Sequence, residues 1–440
     1  MQLASSQKIG VANYFRLLRE NRNFRRLWAA QIVSELGDWF YTLAIYSLLL
    51  ELTGRASSVA FALVLQVLPQ TFISPTTGVV NDRVRRKLVM ITADLARFAI
   101  VLCMLFVRSP GTVWILYPLL FLETIMVGFF EPARTSVVPN ICKDEDVILA
   151  NTLSSTTWSL NLALGASLGG VVAALFGRDT VFVLNALSFL ASAWLIGGMH
   201  FAEPHTDHVE PFRARDLVDL SPILDGLRYV RSDARRLVML LVKSGQWMIG
   251  PSWVLYTVMG KQYFPLRLHG LSPERSAVLG MSVLLAARGI GALLGPLTSA
   301  SWAGKSQRRL RFAILMGFTA GAVGYMLLGW SKTLMLACAS IVLSHMGGAA
   351  IWVFSTTLLQ LNTEDQFRGR VFAAELGLCM FVLAVGAYIT GVLLDAGYSA
   401  RHLATATGLL MLLPALGWLW AQRLWKGSVT DTAYRSSQPE

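Results

Sequence analysis

Apolar runs of about twenty residues recur from one end of this 440-residue chain to the other. Each is long enough to cross a hydrocarbon layer ~30 Å thick as a helix. Within lipid every backbone polar group must be satisfied inside its own segment, so such runs fold as helices. The ten-residue alternation of a membrane barrel is absent from the sequence. Charged residues make up 15% of the chain, against about 25% for a soluble protein. The expectation is an all-α polytopic membrane protein.

Twelve spans can be drawn, near 27–50, 57–79, 88–108, 112–136, 151–176, 180–200, 236–260, 273–301, 310–330, 333–361, 370–394 and 402–422. An even number puts both termini on one side. Of the 38 lysines and arginines, 27 fall in or beside the segments on that side, 8 on the other and 3 inside spans. Positive loops are retained in the cytoplasm, so both ends are expected there. The net charge of +12 is read the same way, and not as a nucleic-acid footprint. The first 26 residues carry Lys8, Arg16, Arg19, Arg22, Arg25 and Arg26 and lack a signal-peptide pattern. Cys103, Cys142, Cys338 and Cys379 have neither pairing nor metal spacing.

The longest polar segment, 201–235, divides the chain into an N-terminal six-helix bundle (1–200) and a C-terminal bundle with a tail (236–440). Within the linker, Ser221-Pro222 followed by Ile223, Leu224, Leu227 and Val230 predicts an amphipathic surface helix. The halves look duplicated. Pro75 is matched 221 residues later by Pro296, and Asp144 is matched 220 residues later by Glu364. Two pseudo-symmetric six-helix bundles form a transporter architecture.

Charge concentrates between the second and third spans as "GVVNDRVRRK" (78–87). Gly78, Asp82, Arg83, Arg86 and Lys87 fit the loop motif of the major facilitator superfamily, with Arg85 where a second glycine is usual. The stretches "NFRRLWAAQIVSELGDW" (23–39), "EPARTSVVP" (131–139) and "QFRGRVFAAE" (366–375) resemble its exporter branch, which contains macrolide efflux and enterobactin export proteins. The resemblance covers spans 27–422. It implies that Asp82 docks near Arg370-Val371, at the start of span eleven, as a latch between the halves. The family's antiporter motif is Gly-Pro-x-x-Gly-Gly, and here residues 165–170 read "GASLGG" with alanine for proline. Those glycines suit close helix packing, gating, or both.

Ionisable residues inside spans mark functional sites by default. Asp38 lies 11 residues into the first span, about 17 Å deep at 1.5 Å per residue, and Glu123 reaches the same level in the fourth. Glu35 is one turn from Asp38. In the family resembled, the first and fourth helices line the central cavity. Three carboxylates there suit proton carriage or a cationic substrate, because desolvation and like charge favour neutralisation. Arg288 is a counter-ion for Asp38 or Glu123, or a holder of an anionic substrate. Asp94 and Arg97, spaced i,i+3, form a local structural pair. Lys243 and Glu375 form a cytoplasmic gate pair. Trp39, Phe40, Trp158, Trp247, Trp253 and Trp352 are aromatic candidates for the cavity. His345 is a proton relay or a packing histidine.

No metal or cofactor is expected. His200, His205, Asp207 and His208 do not complete a site, and no nucleotide-binding loop is present. The chain is read as no enzyme, but as a monomeric exporter of amphipathic small molecules, by proton antiport, in the bacterial cytoplasmic (inner) membrane. The alternatives are a lysophospholipid flippase of the same superfamily and a non-transporting receptor or scaffold.

Overall fold

The computed structural model describes residues 11–203, 228–269, 271–303 and 306–425. All regular structure among them is helical. A short helix, α1 (Val11–Glu20), precedes six long ones: α2 (Arg22–Thr53), α3 (Ala56–Arg83), α4 (Arg86–Met104), α5 (Leu116–Ile141), α6 (Asp144–Phe176) and α7 (Arg178–Gly197). After the linker come α8 (Ala234–Ser244), α9 (Ile249–Gln262), α10 (Pro273–Ala303), α11 (Gln307–Trp330), α12 (Leu334–Leu361), α13 (Asp365–Asp395) and α14 (Ala400–Ala421). The linker helix expected after Ser221 falls on 204–227, outside the described residues.

Eight described helical stretches are long and apolar enough to cross a membrane, which makes this a multi-pass membrane protein. The helices α2 and α4 are not among them, and both carry ionisable candidates in mid-helix. Neither α8 nor α9 qualifies either. They are the two pieces, of 11 and 14 residues, of the span expected at 236–260.

That break has a local cause. Pro251 has no N–H to give, and in mid-helix its ring would clash with the carbonyl four residues earlier. Starting α9 at Ile249 puts Pro251 in the first turn, where the missing donor costs nothing. Gly245 ends α8, and a Cβ there would come within 2.9 Å of Pro414.

The helices form two compact units. One consists of the described residues of Met1–Leu48 and Phe72–Val218. Its α4 packs against α5 and α7 through one face that carries Met90, Ala93, Asp94, Arg97, Val101 and Met104. In α6, Gly165 and Gly169 sit directly on α2; a Cβ on Gly169 would lie 2.6 Å from the Phe40 Cα, and one on Gly165 would strike Trp39. Close packing is therefore a sufficient reason for these glycines.

The other unit consists of the described residues of Leu49–Thr71 and Asp219–Glu440. Its centre is α11, packed on α12 and α14, with α9 against α10 and α13. The first part of α3 belongs to this unit. The Asp395 carboxylate, at the end of α13, accepts from the Ala56 N–H at 2.7 Å and the Ser57 N–H at 3.0 Å.

Candidate functional site

In the first unit α4 turns its charges inward. The i,i+3 spacing of Asp94 and Arg97 lies on its buried face, and α2 and α5 supply further carboxylates there. Arg97 Nη2 donates to both oxygens of Asp38, at 2.8 and 2.7 Å. Its Nε donates to Glu123 Oε1 at 3.0 Å. The expected pair with Asp94 forms at 3.8 Å, longer than the contacts to Asp38 and Glu123. A guanidinium fork can serve several carboxylates at once, so nothing confines it to its neighbour along the helix. The face of the guanidinium lies 3.9 Å from the centre of the Phe189 ring.

Tyr41, one turn beyond Asp38, donates from its hydroxyl to Glu123 Oε2 at 3.0 Å. It completes a cluster of one cation, three carboxylates and one phenol. Access within it is unequal. The Asp38 side chain is 30% exposed, Glu123 5% and Asp94 not at all. Asp38 is the member that water or a ligand reaches. Trp39 adjoins it and meets Trp158 edge-on, ring centres 6.2 Å apart.

Glu35 lies in a separate layer. It accepts from Gln31 Nε2 at 2.8 Å and from Asn161 Nδ2 at 3.1 Å, and Gln31 also reaches the Ser154 carbonyl. Beyond it, Arg134 pairs with Glu131 at 2.7 Å.

The loop-motif cations hold local structure. Arg86 donates to the Ser136 carbonyl and the Asn140 side chain, and Lys87 Nζ donates to the Met199 carbonyl at 2.7 Å. Arg83 ends α3, half-buried. The burial of Gly78 and the side chains of Asp82 and of 365–370 are outside the described set, so the latch expected between Asp82 and Arg370 falls there too.

In the second unit Lys243 Nζ, from α8, lies 2.8 Å from Glu375 Oε2 of α13, and both are buried. The ammonium also lies 4.7 Å from the centre of the Trp352 ring. A second polar system surrounds the break that holds Trp247. Tyr325 donates to the Met248 carbonyl at 3.1 Å, lies 3.0 Å from the Tyr256 hydroxyl, and Tyr256 lies 2.9 Å from His345 Nε2. A carbonyl only accepts, which fixes the chain of donors. Tyr325 gives its proton to Met248, Tyr256 gives to Tyr325, and His345 must carry a proton on Nε2 to give to Tyr256. Arg288 stacks 3.9 Å above the Trp253 ring. The buried Gln246 Nε2 has no hydrogen-bond partner among the described residues.

Sequence reasoning misses Tyr41, Gln31, Asn161, Tyr256 and Tyr325. Neutral tyrosines and amides are ordinary in spans, and only the facing helix shows that they complete a charged group. No cluster of three or more metal-ligating side chains occurs among the described residues.

The sequence profile of the Major Facilitator Superfamily matches residues 27–375. The chain belongs to that family. A Bacillus subtilis protein described as the uncharacterized MFS-type transporter YfiS is 28% identical over 41% of this chain and 43% of its own length. The chain thus aligns with less than half of that relative. Macrolide efflux protein A of Streptococcus pyogenes is 22% identical over 89% of this chain and 94% of its own. The crystal structure of the nucleoside transporter NupG superposes with a TM-score of 0.74 at 10% identity, over 92% of this chain and all of that one. At that identity the match concerns the fold alone, the twelve-helix all-α architecture of the superfamily. Membership is in a transporter family and not in a family of enzymes.

Proposed function

We propose that this superfamily member is a secondary active exporter of amphipathic, cationic small molecules, driven by proton antiport through the Asp38–Arg97–Glu123 cluster. The observation that carries the reading is one arginine shared by three carboxylates of which Asp38 alone is accessible. With every group ionised the cluster holds two negative charges more than positive. Uncompensated charge inside a membrane is costly, so the cluster is built to take up a proton or a cation.

Protonation of Asp38 removes one of the negative charges around Arg97, and the guanidinium is then balanced by Glu123 and Asp94 alone. A substrate cation arriving at ionised Asp38 competes for the same oxygens. Proton and cation therefore exclude each other at one carboxylate, which is the requirement for antiport. The Trp39–Trp158 pair beside Asp38 supplies aromatic surface for the apolar part of such a substrate, and aromatic faces attract cations. Glu35 and Glu123 tune the cluster. In the second unit, Arg288, Trp247 and His345 belong to the polar system at the helix break, and discontinuous helices commonly hold transport sites. The Lys243–Glu375 pair acts as a gate in this reading. Both termini lie in the cytoplasm and the protein resides in the bacterial inner membrane as a monomer.

The test is uptake of a fluorescent cationic amphiphile into inverted proteoliposomes, with and without an imposed pH gradient. Gradient-dependent accumulation supports the reading. Equal movement with no gradient, or movement of lysophospholipid alone, overturns it.

A further inference from the structure

Away from the carboxylate cluster, the first unit holds a cavity of about 580 Å³. Arg16, Glu20, Asn21, Arg22, Asn23 and Arg26 line one side of it. Lys143 and Asp146, from the start of α6, and His200, after α7, line the other. The frame is pinned by directional bonds. Asn21 Nδ2 donates to the Ile141 carbonyl at 2.7 Å. Asn23 and His200 exchange two bonds, Asn23 Nδ2 to the His200 carbonyl and the His200 N–H to Asn23 Oδ1. Arg16 Nη2 donates to Asp146 at 2.6 Å and Nη1 lies 3.5 Å from Glu20.

Among the described residues, charge in this cavity is unbalanced. The two acids described there, Glu20 and Asp146, are both engaged by Arg16. Arg22, Arg26 and Lys143 remain, and no ion pair joins any of them to an acid among the described residues. Arg26 is also placed. Its guanidinium lies over Gly198, where a Cβ would come within 2.8 Å of Cζ. Positive-inside bias explains cations on this end of the protein. It does not explain three of them converging on one framed cavity beside a glycine that admits the guanidinium.

The cavity lies where α1 meets α2. Leu17 of α1 is buried in the core while Phe15 is 69% exposed. A short helix with apolar side chains on both the core and the outside, at the mouth of a spanning helix, suits the headgroup level of a membrane. Guanidinium forks match phosphate oxygens in a bidentate way. We propose that this cavity is a phosphate-anion site, occupied by the headgroup of an acidic phospholipid.

The experiment uses the full chain in detergent. Retention of phosphatidylglycerol, phosphatidylcholine and inorganic phosphate is measured by native mass spectrometry and melting temperature. Three proteins are compared: wild type, the cavity variant Arg22→Gln/Arg26→Gln/Lys143→Gln, and a control that loses three exposed charges outside the cavity, Arg19→Gln/Arg85→Gln/Arg231→Gln. Phosphatidylglycerol should bind wild type in preference to phosphatidylcholine. The cavity variant should weaken it about a hundredfold, the sum of three charges near a membrane surface, and the control by far less. Gly198→Ala, which displaces Arg26 and keeps its charge, should weaken it part-way. Binding of inorganic phosphate without phosphatidylglycerol would assign the site to a free phosphate and overturn the lipid headgroup as its occupant. Equal losses in the two triple variants, unchanged retention in the cavity variant, or phosphatidylcholine held as tightly as phosphatidylglycerol would overturn the site.

Discussion

Asp38 and Arg97 face each other from α2 and α4, with one guanidinium nitrogen within 2.8 Å of both carboxylate oxygens. Arg97 is buried, and its remaining ion pairs are also with acids. Its removal therefore strands three carboxylates, two of them buried. Arg97→Gln should cost about 3–5 kcal/mol of stability, the penalty for breaking a buried ion pair from one side. Thermal unfolding in detergent measures it. Arg97→Gln combined with Asp38→Asn should recover part of the loss, because two charges leave together. Arg97→Lys keeps the charge without the fork and should fall in between. Full stability of the single Arg97→Gln variant would contradict the shared-counter-ion geometry.

The Lys243–Glu375 pair allows a cleaner separation of charge from fit. Each single neutralisation, Lys243→Met or Glu375→Gln, leaves an unmatched buried charge and should destabilise by several kcal/mol. The double variant should melt closer to wild type than either single one. Additive losses would mean that the two side chains do not depend on each other.

The Asp395 carboxylate caps the first turn of α3, and a carboxylate on free helix N–H groups is typically worth about 1 kcal/mol. Asp395→Asn should raise hydrogen exchange at the amides of Ala56 and Ser57 roughly fivefold, the equivalent of that energy. Exchange unchanged at both amides would show that the carboxylate does not cap the helix.

Sidedness rests on the distribution of charge, 27 basic residues against 8. In a background with the four cysteines replaced, new cysteines at Arg85 and Arg178 should label from opposite sides of the membrane. Labelling of both by one impermeant external reagent would remove the assigned orientation.

Span positions and the polytopic class are legible because hydrophobic length is a property of the chain alone. The ends of α5, α7, α11 and α12 fall within a few residues of the positions expected. The break at 245–248 is hidden by an apolar run of the right total length, although Gly245 and Gly250-Pro251 together carry its signal. The direction of Arg97 is illegible for a different reason. Spacing along α4 makes a local pair with Asp94 possible, and only the facing helices show that two other carboxylates stand closer. The same holds for His345. Its position in mid-span is visible in the sequence, whereas Tyr256 and Tyr325 reach it from α9 and α11.

In the proposed cycle Asp38 alternates between a proton and a cation while Arg97 keeps the cluster from collapsing. Asp38→Asn mimics only the protonated state. Transport of a cationic amphiphile in proteoliposomes, measured with and without a pH gradient, separates coupled from uncoupled movement. The expected result is that Asp38→Asn, folded and melting near wild type, loses gradient-driven transport while exchange without a gradient survives at a measurable rate. Full gradient-driven activity in the Asp38→Asn/Glu123→Gln double variant would contradict it and move the coupling role to Glu35 or Glu375.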